Sequence, residues 1–562
     1  MTVISAAPPG LTLILGAMLL PLFGQRTRGV LILGLPVLTL AQIWQLPDGI
    51  VLRAPFLEYE LAPVSVDSLS RLFGTIFAIV TFAGGLFALN RARVAELATA
   101  LVCAGSAIGI TFAGDLLTLV AFWEVLALAS TLLVWFGMTD HSYHSGMRYL
   151  VIHLLGGVVL MTGVIGHVAD TGSVMFTDMA LDTPAHWLIL AGFLMNAGAP
   201  PLSAWLPDAY PESSPTGMVF LSAFTTKTAV YVLLRGFPGA EILVFIGLYM
   251  IFYGIVYALL ENDMRRILAY SIVNQVGFMV CGIGIGTEMA LNGTAAHAFT
   301  HIIYKALLLM SAGSVLYMTG KRKCTDLGGL FHSMPLTTVC GLIGALSISA
   351  FPLTSGFISK SMISQAAADE HMAAAWFLLT AGSAGVFLHA GIKFPWFIFF
   401  QKDSGLRPPD PPLNMRMAMI FFAFLCIAIG IWPATLYTIL PFPVDYVPYT
   451  YAHVLGMLQL LMFSGLAFFI MLPHMKRTLT ITLDWDWFYR RPGPHTISQV
   501  TQVFKYWHTY TRIGFLRHVG TVLGTLFLYH GPQGVLARTW ATGSMVLWVV
   551  ILLGLYLLAY YY

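Results

Sequence analysis

Sixteen apolar runs follow one another along this chain of 562 residues. Each approaches the ~20 residues that an α-helix needs to cross a bilayer. They lie near 8–24, 29–46, 69–89, 94–113, 116–137, 148–169, 186–206, 217–235, 240–260, 266–286, 295–318, 335–362, 374–400, 416–440, 453–473 and 542–561. Inside lipid a backbone must satisfy its own hydrogen bonds, and an α-helix does so within one segment. The fold class is therefore an all-α polytopic membrane protein of about sixteen transmembrane helices. Composition agrees: 9% of residues are charged, against about 25% in soluble domains. The first run starts near Pro8 without a basic n-region, and no A-x-A site follows. It reads as a retained helix rather than a signal peptide.

The loops predict an orientation. On the side reached after odd-numbered helices, 13 basic residues fall in the loops, and eight more lie in the segment after the fifteenth helix: Lys476, Arg477, Arg490, Arg491, Lys505, Arg512, Arg517 and Arg538. The opposite side carries only Arg53, Arg71 and Arg235. Basic loops stay in the cytoplasm, so both termini are expected outside, in the cytoplasmic membrane of a prokaryote.

Two runs are interrupted. The seventh breaks at Pro200-Pro201 and the twelfth at Pro352. A broken helix at membrane depth is tolerated where it is buried in protein or lines a wet cavity. Five helices separate the two breaks, so the second copy of the unit would be inverted relative to the first. Paired inverted units with broken helices are a transporter architecture, with ion sites near the midplane. This divides the chain into helices 1–3 (1–93), a first inverted repeat (94–236), a second (237–400) and helices 14–15 (401–473). A cytoplasmic or interfacial segment (474–541) and a last transmembrane helix (542–562) follow. Within 474–541, Trp485, Trp487 and Tyr489 read as an interfacial anchor, and 496–530 as a helix along the membrane surface.

Few ionisable residues fall within the apolar runs. Glu124 is in the middle of helix 5, His153 in helix 6 and Lys227 in helix 8. His297, His301 and Lys305 are spaced i, i+4, i+8 on helix 11 and so share one face. Lys360 follows the break in helix 12, and His389 and Lys393 lie in helix 13. Asp115 reads as a helix-start acid. Intramembrane charges are functional candidates by default. In a low-dielectric bundle, moving one charge alters the protonation of the next, and histidines can relay protons between them. The main candidates for proton transfer are Glu124, Lys227, His301, Lys305 and Lys360. His153, His297, His389 and Lys393 form a second group. A lone His153 also suits a helix–helix hydrogen bond, and Lys393 suits snorkelling toward a basic loop. No GxSxG, Walker or metal motif is present, and Gly282-Ile283-Gly284-Ile285-Gly286 lacks the βα context of a nucleotide loop. The five scattered cysteines form no CxxC pair. No cofactor, metal or nucleic-acid site is expected, nor catalysis on an organic substrate.

The segments FWEVLALAS, PPLSAWLPDAYPESSPTG, LSAFTTKTAVYVLLR, ENDMRRILAYSIVNQVGFM, HAFTHIIYKALLLMSAGSV and FPLTSGFISK carry a family resemblance. They cover roughly residues 100–400. The chain resembles the antiporter-like membrane subunits shared by Mrp-type sodium/proton antiporters, respiratory complex I and membrane-bound hydrogenases. Within that family it looks most like the D-type component of the Mrp antiporters, helped by LDWDWFYRR. The resemblance implies a fourteen-helix core with two half-channels, each centred on a broken helix, joined by a buried polar axis. It makes Glu124 the key glutamate, Lys227 the helix-8 lysine, His301 and Lys305 the central relay, and Lys360 the terminal lysine. One position departs from the pattern. Asn196 stands where the family usually has a helix-7 lysine, so the expected ion-pair partner of Glu124 is missing, with Lys227 as the substitute.

The expected function is a proton-conducting subunit of a multisubunit monovalent cation/proton antiporter, with Na+ as the cation and other membrane subunits as partners. Two alternatives stay open. One is the proton-translocating subunit of a complex I-type quinone reductase or a hydrogenase. The other is a non-transporting scaffold subunit of such a complex.

Overall fold

A computed structural model describes residues 7–474, 483–531, 534–535 and 541–562. Lys476, Arg477 and Arg538, which enter the basic count, lie outside the described residues. The chain divides into two units, Met1–Asp486 and Trp487–Tyr562. The first unit opens with α1 (Pro9–Leu19) and α2 (Gln25–Gln45), then a hairpin, β1 (Gly49–Phe56) and β2 (Tyr59–Val66). Next come α3 (Ser68–Ala88), α4 (Val94–Phe112), α5 (Leu116–Trp135) and α6 (Asp140–Thr171). α7 has two arms, Pro184–Ala197 and Trp205–Ala209, and α8 two pieces, Gly217–Ala223 and Thr225–Gly236. α9 (Ile242–Leu260), α10 (Met264–Ile285) and α11 (Glu288–Thr319) follow. α12 again has two arms, Pro335–Ile348 and Ser355–Asp369. α13 (Ala373–Val386) runs on into π-helical turns at Phe387–Lys393 and Trp396–Phe400. α14 (Leu413–Ile431) and α15 (Tyr451–Met471) complete the membrane helices of this unit. The second unit holds α16 (Pro492–His530) and α17 (Thr542–Tyr561). α16 is the helix that the sequence places over 496–530, extended to 39 residues.

Thirteen helices among the described residues are long and apolar enough to cross a membrane, and the protein is a multi-pass integral membrane protein. The expected count of sixteen is not reached by helices of that length. The runs at 8–24, 186–206 and 335–362 give shorter or interrupted helices, because a proline or a helix end divides each of them.

The all-α expectation needs one correction. Residues 49–66 pair as an antiparallel hairpin, with Gly49 opposite Val66 and Phe56 opposite Tyr59. The alternation was visible in the second strand, where Ala62, Val64 and Val66 are buried and the residues between them are not. The hairpin has a structural task. Ala62 N donates to Asp115 Oδ2 at 2.9 Å, and Gly114 N donates to the Ala62 carbonyl at 2.9 Å. Asp115 also caps α5, accepting from Thr118 N at 2.7 Å. The helix-start reading of Asp115 is the one its geometry supports.

Helices α4–α8 and α9–α13 repeat one order of parts. The third helix of each set has 32 residues and ends on a left-handed glycine, Gly172 or Gly320. The positive φ there favours glycine, which has no Cβ to clash. The second helix of each set is N-capped by a buried aspartate that bridges to the strand-like turn after the third: Asp115 to Met175, and Asp263 to Lys323. Asp263 lies 148 positions after Asp115, Gly320 148 after Gly172, and Lys323 148 after Met175. The fourth helix of each set is broken. The first arm of α7 stops at Gly198, φ 76°, ahead of Pro200 and Pro201, whose peptide bond is cis. α12 reverses through Ala350 and Leu353, at φ 57° and 68°. Positive φ is uncommon outside glycine, and two such residues mark a locally strained break.

Candidate functional site

Two of the buried lysines, Lys227 and Lys360, sit at helix interruptions. α8 kinks at Phe224, which leaves the last carbonyls of Gly217–Ala223 without an intrahelical partner. Lys227, fully buried, fills that need: Nζ donates to the Ser222 carbonyl and to Thr226 Oγ1, each at 2.9 Å. Lys360 does the same at the α12 break, donating to the Ile348 carbonyl at 2.7 Å, with Nζ 4.9 Å from the centroid of the Phe278 ring. The C-terminal end of a helix carries partial negative charge, so each ammonium meets a local dipole rather than a carboxylate. Among the described residues, no ion pair involves Lys227, Lys305 or Lys360.

Between these two lysines lies α11. His297, His301 and Lys305 are buried on the face that the i, i+4 spacing predicts. Lys305 Nζ donates to Ser271 Oγ at 2.8 Å and to the Leu268 carbonyl at 3.4 Å, both on α10. His297 Nδ1 lies 3.1 Å from Ser359 Oγ on α12, next to Lys360, and its Nε2 lies 3.5 Å from the Tyr304 hydroxyl. Tyr304 in turn donates to Gln275 Oε1 at 3.1 Å. His301 is different, because neither ring nitrogen has a partner among the described residues. Buried polar atoms are rarely left so, and ordered water is their usual partner. On α11, His301 stands between His297 and Lys305, with the two imidazole rings 6.1 Å apart, and His297 reaches Ser359 beside Lys360. The second piece of α8, which carries Lys227, packs against the same helix.

α13 contributes two residues of unequal kind. His389 lies in the π-helical turn, with Nδ1 2.8 Å from the Gly385 carbonyl and Nε2 without a protein partner. Lys393 instead donates to the carbonyls of Ala258, Leu259 and Glu261. Three donors meet three acceptors at the end of α9, so Lys393 is a helix cap rather than a snorkelling side chain.

The first repeat is arranged otherwise. Glu124 is half-buried on α5 and makes no hydrogen bond or ion pair with any described residue. Its carboxylate lies against Gly157 of α6, in the space a Cβ there would occupy. Lys227 does not bond Glu124, which corrects the expectation that it substitutes for the missing lysine; two of its donors are taken at the α8 kink. Asn196 is buried in the last turn of the first α7 arm, and its Oδ1 has no protein partner. His153 is buried on α6, stacked on Tyr149 at 3.8 Å and edge-on to Trp205 at 4.6 Å. The Trp205 indole N–H donates to the Met195 carbonyl at 3.0 Å and closes the end of the broken helix beside Asn196.

Several residues at the site were not singled out from the sequence. Tyr149 and Thr225 hydroxyls lie 3.2 Å apart, and Ser130 lies 3.3 Å from Thr225, which joins α6, α8 and α5. Isolated hydroxyls in apolar helices carry no spacing signal. A charged clamp holds the loop after the α7 break. Arg148 pairs with Asp208 through two bonds of 2.7 and 2.8 Å, and Arg322 bonds Glu212 and Asp263. Buried Arg265 donates to the carbonyls of Pro211, Ser213 and Ser214 at 2.8, 2.7 and 2.8 Å. The acidic PDAYPE stretch was the available signal. In LDWD, Asp484 accepts from Tyr253 at 2.8 Å and Tyr270 at 2.5 Å, while the Trp485 indole donates to Tyr249 at 3.1 Å. The segment is thus anchored by a buried carboxylate as well as by its aromatic rings. Asp484→Ala leaves the Tyr253 and Tyr270 hydroxyls without their carboxylate acceptor, at a net ~1 kcal/mol for each lost bond. Amide exchange at Leu483–Asp486 should rise about tenfold or more, and wild-type protection there would show that the anchor is dispensable.

A family model described as NADH:quinone oxidoreductase/Mrp antiporter, transmembrane, matches residues 113–388, from the start of α5 into the π-helical part of α13. The D-type component of the Na(+)/H(+) antiporter of Alkalihalophilus pseudofirmus is 30% identical over 347 residues, which is 58% of this chain and 69% of that protein. The chain belongs to this family. Its antiporter-like fold is also that of a solved structure, the Mrp complex from Dietzia sp. DQ12-45-1b, at TM-score 0.69 and 22% identity. That match covers 78% of this antiporter-like chain and 96% of the solved one. The A/B-type component of a probable K(+)/H(+) antiporter of Rhizobium meliloti is 30% identical over 412 residues. The match takes in 67% of this chain but only 40% of that longer protein.

Proposed function

We propose that this chain is the proton-conducting subunit of a multisubunit monovalent cation/proton antiporter in a prokaryotic cytoplasmic membrane, working with other membrane subunits. The observation that carries this reading is the buried set of Lys227, His297, His301, Lys305 and Lys360, none of them paired with a carboxylate among the described residues. Each lysine donates to carbonyl or hydroxyl oxygens, which accept from a neutral amine as well as, more strongly, from an ammonium. A proton can therefore leave one lysine and join the next without stranding a buried counter-ion. The family membership and the likeness to a component of a Na(+)/H(+) antiporter support the antiporter role and Na+ as the exchanged ion. The same family description also names NADH:quinone oxidoreductase, so the second reading is a translocating subunit driven by redox chemistry.

Purification of the native complex separates the two readings. Small antiporter subunits alone fit the first, and copurified iron–sulfur or flavin proteins replace it with the second. Exchange in everted vesicles from cells making the whole complex should require Lys227, Lys305 and Lys360 individually.

The topology within this reading places both termini outside and 474–541 in the cytoplasm. All five native cysteines are buried, which simplifies labelling. A single cysteine at Val500, which is exposed, should react with an impermeant thiol reagent only after the cells are opened. Reaction in intact cells would invert the topology.

A further inference from the structure

The 148-residue shift that relates the two repeats pairs α6 with α11 residue by residue. It sets His153 against His301 and Gly157 against Lys305. In α11 a histidine and a lysine one turn apart share a face. In α6 the same two positions hold a histidine and a glycine, and the vacated side-chain space is taken by the carboxylate of Glu124, reaching over from α5. His153 also shares the most unusual property of His301, a fully buried ring nitrogen, here Nε2, with no partner in the protein. Its other nitrogen, Nδ1, is 2.9 Å from the Tyr149 carbonyl and so carries the hydrogen of the neutral ring. That tautomer leaves the Nε2 lone pair open.

The surroundings point the same way. Trp123 Nε1, Asn196 Oδ1 and Ser203 Oγ are buried near the α7 break and also lack protein partners. On its other side His153 stacks on Tyr149, whose hydroxyl reaches Thr225, two residues before Lys227. Gly157 lies one helical turn beyond His153 on the same face of α6, so the Glu124 carboxylate stands a turn from the imidazole.

We propose that His153 is the proton-transfer group serving Glu124 in the first repeat, at the position that His301 holds in the second. This rests on the proton-conducting reading above. Nε2 accepts a proton from a hydronium ion on the Tyr149–Thr225 side, which is left as neutral water, and the ring becomes an imidazolium, with Nδ1–H still held by the Tyr149 carbonyl. Nε2 then releases that proton through water to the Glu124 carboxylate. The ring returns to its neutral form and Glu124 becomes a carboxylic acid, with no other bond changed.

The test uses the complete complex in everted vesicles, with His153→Gln, His153→Asn and Glu124→Gln measured in parallel. Both amides keep a polar, uncharged side chain but cannot carry a proton at neutral pH. Exchange should fall ~10-fold or more in both, within the range that a positioned proton-transfer group supplies, while abundance and unfolding temperature stay at wild type. Exchange above half of wild type in either amide variant, with Glu124→Gln inactive, overturns the proposal and leaves the proton-conducting reading standing. Active Glu124→Gln together with active His153 variants refutes that reading itself. Failure of both amides to accumulate assigns His153 a packing role and overturns the proposal too.

Discussion

Glu124→Ala should abolish cation/proton exchange while the chain accumulates at wild-type level. The structure makes those two outcomes separable. Glu124 bonds to nothing described, so its removal strands no donor and leaves the α5–α6 contact at Gly157 merely looser. Half-buried, it creates no closed cavity of the kind that makes core truncations destabilising. A carboxylate held at mid-span without a structural partner is a functional candidate by default, and the expected loss of exchange follows from that. The measurement is exchange in everted vesicles, normalised to the abundance of the chain. Wild-type exchange at wild-type abundance would turn the reading toward a non-transporting scaffold, the role that Asn196 on the adjoining helix also favours.

Arg265→Ala should do the opposite, removing the protein rather than silencing it. Its guanidinium holds three carbonyls of the loop after the α7 break, and Asp263 two residues earlier caps α10 and pairs with Arg322. Truncation takes away the side chain that spans those carbonyls and leaves them buried without their main donor. Each stranded group costs about 1–3 kcal/mol, so the sum is comparable with the 5–15 kcal/mol that holds a typical domain. The expected result is a steep fall in abundance and in unfolding temperature in detergent. Arg265→Lys should recover little, because a point-like ammonium cannot reproduce the fork that meets Pro211, Ser213 and Ser214 together. Full accumulation of Arg265→Ala would show that the loop is held by the Arg148–Asp208 and Arg322–Glu212 pairs alone.

The sequence by itself determined the membrane class, the two interruptions and the identity of most charged residues at the site. The reason is that lipid imposes a one-dimensional rule. A spanning helix must be long and apolar, so a charge or a proline pair within it stands out without knowledge of its neighbours. The α11 face of His297, His301 and Lys305 was legible for a related reason, since helical periodicity alone places i and i+4 together.

What only the tertiary structure decided was what each charge touches. Lys227 is spent on the carbonyl freed at the α8 kink and not on Glu124, and no local pattern announces a kink at Phe224. Lys393 reads in sequence as suited to snorkelling, yet three carbonyls at the end of α9, more than 130 positions away, make it a cap. Asp484 reads as one more acid in a polar tail until Tyr253 and Tyr270 close over it. The correspondence of His153 with His301 needed the paired bridges at Asp115 and Asp263 to set the shift between repeats. Hydrogen bonds to a distant backbone leave no trace in composition or spacing, because their partners are brought together only by packing.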